Sequence, residues 1–305
     1  FFTKISKLDN QWLLIIFILI LLNLWIVRAD FLRSFDLDYL EDLYSHSQWS
    51  MAMSTRIMSD NELYQLAGYR LIKGADIFSI NPEVPPLVKY IYGLSALLGN
   101  PHYASFIFYV VALSLFFLLA QLILKDKKLA YWAVIYLLLG PLFISQLGRT
   151  MLDLPQLVWL LGHVLALYYF IHSKKQSKWW LVFAGISLGF FAASKFPIYV
   201  PLIIVADLWL LLRNKYYKAL IILSLCSVLT YTLVFLPYFF SGNSLIDWLK
   251  AEKWTMNFYL ISREKTSFFP SLSSIFTGWY NHWWGAKTWT KVDIWNILWP
   301  ITSII

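Results

Sequence analysis

Long apolar runs separated by short basic loops set the pattern of this chain. They cover 12–28 (WLLIIFILILLNLWIVR), 103–124, 129–147, 151–171, 179–194, 196–212, 216–239 and 294 to the end. Each approaches the roughly 17–25 residues that a membrane-crossing helix needs, except the last, which stops at Ile305. The pattern predicts an all-α polytopic membrane protein with eight spanning segments, the last one cut short. A shorter run, 86–99 (PLVKYIYGLSALLG), has the length of an interfacial or re-entrant helix. No small-residue cleavage site follows the first run, so it reads as an anchor and not as a removed signal peptide. Because the chain starts at Phe1 and stops within an apolar run, it is expected to be a fragment whose C-terminal helices are missing.

The basic residues decide the topology. If 86–99 does not span, then Lys4 and Lys7, Lys125, Lys127 and Lys128, Lys174, Lys175 and Lys178, and Arg213, Lys215 and Lys218 all fall on one side. Lys and Arg concentrate in cytoplasmic loops, so that side, with the N-terminus, is predicted to be cytoplasmic. If 86–99 does span, the same loops scatter over both sides. The expected arrangement is therefore a single transmembrane domain over 1–305 in a cell membrane, with two large outer loops, 29–102 and 240–293. The first loop carries interfacial helices. Within it, residues 29–85 hold nine acidic and four basic side chains.

Composition agrees. The chain is 59% hydrophobic, 19% aromatic and only 14% charged, which excludes an ordinary water-soluble protein and excludes disorder. The net charge of +8 lies in loops between apolar runs and forms no basic stripe, so nucleic acid is not an expected partner. The lone Cys226 rules out an internal disulfide and a cysteine zinc site. Histidines at metal-site spacing, a P-loop and a G-x-S-x-G elbow are all missing, which disfavours zincins, ATPases and serine hydrolases.

On this topology Asp60, Glu62, Glu83, Lys89, Arg149, Asp153 and Lys195 all project at or just beneath the outer surface. Charges near lipid are expensive and usually functional. Three are cations on the disfavoured side, and together they can hold an anion such as a lipid phosphate. Pro85 and Pro86 suit a helix start, which puts Lys89 in a first turn. Plainer readings stand beside these. Arg149 and Asp153, at i and i+4, can form an intrahelical ion pair. Lys195 can mark the water boundary by snorkelling. Asp60 and Glu62 can be solvated loop charges, and two carboxylates so spaced are a weak basis for a divalent metal, so no metal ligand is assigned. Asp207 is expected to reach toward Arg213, and His163 to be a hydrogen-bonded core residue. Trp279, Tyr280, Trp283, Trp284 and Trp289 suit either sugar stacking or the membrane interface, the latter being the simpler reading.

Four segments, in order, resemble the phospholipid-carrier-dependent glycosyltransferases of GT-C type, the superfamily of protein O-mannosyltransferases and lipid A aminoarabinose transferases. SDNELYQLAGYRLIKG (59–74) resembles the first outer loop of that family and matches Asp60 to its catalytic Asp; Asn61 replaces the adjacent Glu, and Glu62 stands one place later. NPEVPPLVKY (81–90) resembles the P-E-H-P-P-L-x-K signature, with Val84 for His, and puts Lys89 at the lipid-phosphate position. GRTMLDLPQLVW (148–159) matches Arg149 and Asp153, and AGISLGFFAASKFPIYVPL (184–202) matches Lys195.

The resemblance implies a GT-C-like helix bundle and a membrane enzyme. Its reaction is transfer of a sugar, with inversion, from a polyprenyl-phosphate donor to an acceptor hydroxyl on a protein or glycolipid at the outer face. Asp60 is then the base, Lys89, Arg149 and Lys195 bind the donor phosphate, and Glu62, Glu83 and Asp153 support them. The lipid-linked sugar is the only cofactor-like group required, with a divalent ion at Asp60 or Glu62 as an admitted addition. A membrane transporter of a lipid or solute is the alternative, since buried charges also mark translocation paths.

Overall fold

The computed structural model describes residues 7–51, 53–173, 177–195, 199–262, 270–281 and 289–304. Lys4, Lys174, Lys175, Trp283 and Trp284, used above, lie outside the described residues. The chain divides into two compact units, Phe1–Leu245 and Ile246–Ile305.

Among the described residues, the regular elements of the first unit are helices. Its elements are α1 (Lys7–Ile26), α2 (Arg28–Leu32), α3 (Leu37–Ser45), α4 (Asp60–Ile72), α5 (Leu87–Leu97), α6 (His102–Leu124), α7 (Lys127–Leu138), α8 (Pro141–Leu147), α9 (Asp153–His172), α10 (Lys178–Ser194), α11 (Val200–Arg213), α12 (Tyr217–Val234) and α13 (Leu236–Phe240). The second contains α14 (Leu245–Asn257), which starts at the boundary, a π-helical turn at Phe258–Ser262, α15 (Pro270–Thr277), β1 (Trp279–Asn281), β2 (Trp289–Lys291) and α16 (Leu298–Ile304). β1 and β2 form an antiparallel pair with Tyr280 opposite Thr290, a strand element that the apolar pattern does not announce.

Among the described residues, four helices are long and apolar enough to cross a membrane: α1, α6, α9 and α12. A fifth candidate is α7 with α8, bent by 70° between them. The bend follows from the sequence at Gly140–Pro141, because proline offers no N–H to the preceding turn and its ring crowds that turn. The count is therefore four or five, against the eight expected from run length. The runs 179–194 and 196–212 form helices of 17 and 14 residues, α10 and α11, and the final run forms only the seven residues of α16. The run 86–99 forms α5, 11 residues long, too short to span.

The core lies where α9 meets its neighbours. One apolar cluster joins α6, α7, α8 and α9 around Tyr109, Leu138 and Leu147; a second joins α9, α10, α11 and α12 around Ala166, Ala184 and Leu211. α1 is apolar on nearly all sides and exposes most of them, including Leu14, Phe17, Leu22 and Trp25, as a lipid-facing helix should. Its one buried polar residue, Asn23, donates to the Tyr109 hydroxyl (2.8 Å) and the Leu138 carbonyl (2.9 Å), fastening α1 to α6 and α7. Between α1 and α6, helices α3, α4 and α5 pack on a smaller core of Leu40, Leu43, Leu63, Leu66, Val88 and Tyr92.

α4 crosses α5 at two glycines. A methyl group on Gly68 would run into the Lys89 carbonyl oxygen, and one on Gly93 into the backbone of Gly68. Backbone therefore lies on backbone, and the starts of α4 and α5 are held in a fixed relation. α10 and α12 repeat the device, since Cβ atoms on Gly185 and Gly189 would collide with Cys226, Leu223, Ser227 and Thr230.

Candidate functional site

The chemistry-bearing side chains gather where α4, α5, α6 and α9 begin and α10 ends. α4 opens on a capping box. Ser59 Oγ accepts the Glu62 N–H (3.4 Å), while Glu62 Oε2 accepts the Ser59 N–H (3.0 Å) and hydroxyl (2.8 Å). Glu62 Oε1 accepts the Tyr39 hydroxyl at 3.2 Å. Glu62 thus takes part in starting the helix.

Asp60 is the first residue of α4, where free backbone N–H groups favour a carboxylate. Its own carboxylate forms no hydrogen bond among the described residues, and part of its surface is open. Protein atoms crowd the other part. That partial burial pushes its pKa up, Lys195 opposes the rise, and Asp153 adds to it.

Asp153 and Lys195 form an ion pair, Nζ to Oδ1 at 2.6 Å, across 42 residues of chain. Asp153 opens α9 and Lys195 directly follows the last residue of α10, so the pair stitches the start of one helix to the end of the next. The lysine side chain is 15% exposed and the aspartate 49%, so the pair is shielded on one side and wet on the other. The pair available from spacing, Arg149 with Asp153, does not form. Arg149 lies in the turn before α9, off the helix that an i, i+4 contact requires, and its exposed side chain has no hydrogen bond or ion pair among the described residues.

That turn is held from three helices. From α4, Asn61 Oδ1 accepts the Thr150 N–H (2.5 Å), Thr150 Oγ1 lies 2.8 Å from both Asn61 oxygens, and Gln65 Nε2 donates to Thr150 Oγ1 (3.2 Å). From α5, the Tyr92 hydroxyl donates to the Met151 carbonyl (2.6 Å); from α6, Ser105 Oγ donates to the Arg149 carbonyl (3.0 Å). Thr150 is fully buried. The backbone beneath Arg149 is rigid and its guanidinium is exposed.

Lys89 is fully buried on α5. Its ammonium turns back to donate to the carbonyls of Val84 (2.7 Å) and Asn81 (2.9 Å), closing the loop before the helix. The Asn81 φ of 52° lies in the left-handed region, which Asn tolerates better than most residues. Asn81 Nδ2 in turn donates to Glu83 Oε1 at 2.6 Å. Burial lowers the Lys89 pKa to about 7, against the pull of Glu83. Burial likewise raises the pKa of Glu83; its own backbone N–H and Lys89 oppose this, and Asp60 reinforces it. In this structure the Lys89 ammonium serves the loop and not an open surface.

Of the residues expected at the site, Asp60 therefore senses the charges of Asp153 and Lys195, and Glu83 senses that of Asp60. Lys89 lies behind Glu83, Arg149 stands on the adjoining turn, and Glu62 occupies the cap. Asn61, Gln65, Tyr92, Ser105 and Thr150 position the site; Asn61 was noted in sequence only as the replacement of a Glu, and the others were not singled out, polar residues on otherwise apolar helices being the available signal. Among the described residues no three His, Cys, Asp or Glu side chains are grouped to hold a metal ion. Deeper in the bundle, Asp207 does not reach toward Arg213. Its Oδ1 lies 3.2 Å from His163 Nε2, both residues are buried, and His163 Nδ1 faces the Ala184 carbonyl at 3.0 Å.

An open carboxylate of raised pKa beside a shielded cation and an exposed guanidinium can accept a proton on one side and neutralise growing negative charge on the other. Compared with protein-family models, curated proteins and solved structures, the chain finds no match.

Proposed function

We propose that the chain is a membrane glycosyltransferase. It moves a sugar from a polyprenyl-phosphate donor to an acceptor hydroxyl at the outer face, with inversion. The observation that carries this reading is the convergence of Asp60, Asp153 and Lys195 from three distant segments at one end of the helices, with Asp60 left without a hydrogen-bond partner among the described residues. These are the groups that the sequence resemblance assigns to the reaction.

Asp60 accepts the proton of the attacking acceptor hydroxyl. As the bond from the anomeric carbon to phosphate breaks, negative charge collects on the leaving phosphate, where Lys195 and the exposed Arg149 stabilise it. Asp153 holds Lys195 in place. Lys89 is a positioning residue that keeps Glu83 and the 81–84 loop beside Asp60.

The test needs no knowledge of the sugar. Native mass spectrometry of the gently purified protein is expected to find a polyprenyl-phosphate or its sugar conjugate on the wild type. Asp60→Asn should retain it, and Lys195→Ala and Arg149→Ala should lose it. Once the adduct mass identifies the donor, Asp60→Asn should reduce transfer by about 10²- to 10⁴-fold. Equal lipid on every variant, or normal turnover by Asp60→Asn, would overturn the assignment.

A transporter is the second reading, and the His163–Asp207 pair is the observation in its favour. Nδ1 faces a carbonyl and Nε2 lies 3.2 Å from the Asp207 carboxylate in a buried setting, a pairing of the kind that marks proton paths in membrane carriers. Loss of substrate-driven proton uptake in liposomes on His163→Gln would establish it.

A further inference from the structure

Asp60 uses one flank of the first turn of α4. On the other flank a cavity of about 170 Å³ opens between the turn from α2 to α3 and the starts of α4 and α6. We infer that this cavity binds a neutral saccharide unit of the acceptor, adjacent to the unit that reacts. The inference rests on the glycosyl-transfer reading and names its acceptor class: a glycan of at least two sugars.

The chemistry of the wall selects the ligand. Carboxylates (Asp30, Asp36, Glu62), a guanidinium (Arg33) and side-chain amides (Asn61, Gln65) all line it, so donors and acceptors are mixed and the carboxylates outnumber the cation, which disfavours an anionic ligand. A phosphate would meet the carboxylates, and no metal-binding group of three exists among the described residues. A polyol, which donates and accepts through every hydroxyl, matches such a mixed wall. Phe35 and Tyr39 add aromatic surface of the kind that packs against the C–H faces of sugars.

The wall is also preset. The Arg33 guanidinium sits 5.2 Å over the Tyr39 ring, the Tyr39 hydroxyl is bonded to Glu62, and Asp36 caps α3 through the Tyr39 N–H. Little ordering remains to be done on binding. The volume equals on the order of five or six waters at about 30 Å³ each, close to one sugar ring and too small for an extended lipid.

Its position assigns the bound unit. Ser59 and Asn61 line the cavity and Asp60 does not, although it lies between them in the chain. The Asp60 carboxylate answers instead to Lys195 and Asp153, neither of which lines the cavity. A ring seated in the cavity thus cannot offer its own hydroxyl to Asp60; the next ring, crossing the start of α4, can.

Saturation-transfer NMR on the whole chain in lipid nanodiscs tests this, with maltose, N,N′-diacetylchitobiose and a short threonine-rich peptide as probes. Saturation of at least one disaccharide is expected in the wild type and equally in Asp60→Asn. Ser34→Trp, which fills the cavity from an exposed position, and Arg33→Ala should each weaken it by about tenfold, the equivalent of one or two lost hydrogen bonds. Thermal unfolding of both variants confirms that they fold, and Arg33→Ala carries the test should Ser34→Trp fail to. Silence from both disaccharides, or signals unaffected by both variants, would overturn the inference. So would saturation of the peptide alone that is lost in the variants, since the cavity would then take a protein acceptor. Copurified carrier measured on the same samples separates the two levels. Carrier present without sugar binding sinks the inference and leaves the transfer reading; sugar binding without carrier does the reverse.

Discussion

Two charges act in opposite senses on Asp60, and this makes the pH dependence of the site readable. The carboxylate works only when ionised, and burial raises its pKa above the ordinary 3.8, so the acid limb of the transfer rate should lie above that value. Lys195→Ala removes the group that favours ionisation, and the limb should move further up. Asp153→Asn removes a group that disfavours it, and the limb should move down. A rate–pH profile of the three proteins checks both signs, and a shift in the same direction for both variants would contradict the arrangement. Asn61 gives a second residue-level test. Asn61→Ala leaves the buried Thr150 N–H without its acceptor, which should cost about 1–3 kcal/mol of stability, whereas Asn61→Asp keeps an oxygen there and should stay close to wild type in thermal unfolding. Asp153 and Lys195 stand out in the sequence as charges at the ends of apolar runs, whereas Asp60, in an acidic loop, was reached through the family resemblance. The bond between Asn61 and Thr150 was not legible there, since it joins positions 89 residues apart and neither residue is charged.

At the scale of elements, glycines decide how closely helices approach. α4 and α5 touch through Gly68 and Gly93, so Gly93→Ala forces the two backbones apart. It should destabilise by about 1–3 kcal/mol and, by moving the start of α5 against that of α4, should reduce transfer more than it reduces carrier binding. Thermal unfolding and the two functional assays on one preparation separate these effects. Gly185 and Gly189, read in sequence as part of the segment ending at Lys195, let α10 lie against α12; Lys195 is placed by where that packing leaves the end of α10. The bend between α7 and α8 was written in Gly140–Pro141 but was hidden within an apolar run that looked continuous, because hydropathy registers burial in lipid and not backbone direction.

At the scale of the molecule, four helices among the described residues, or five with the bent α7–α8 pair, are long and apolar enough to span beside the eight runs counted in sequence, and the residues after Leu245 form a unit of their own with a β-hairpin. Orientation can be measured directly. In a Cys226→Ser background, Met53→Cys lies in the exposed first loop and Lys128→Cys at the start of α7. Intact cells should label the first with an impermeant maleimide and leave the second unlabelled, as the positive-inside rule requires; the reverse pattern would invert the topology and remove the outer-face reading. What the sequence determined by itself was the apolar solvent, the helical class, the shortness of α5 and the charged residues at the helix ends, because each follows from local composition and the absence of water in the bilayer. Tertiary structure alone decided which charges meet, that Lys195 and not Arg149 pairs with Asp153, that Lys89 is turned inward to two carbonyls, and where a ring-sized cavity opens beside Asp60. Those outcomes depend on helix crossings set by a few glycines and buried hydrogen bonds, whose partners lie tens of residues away and leave no periodic trace in the chain.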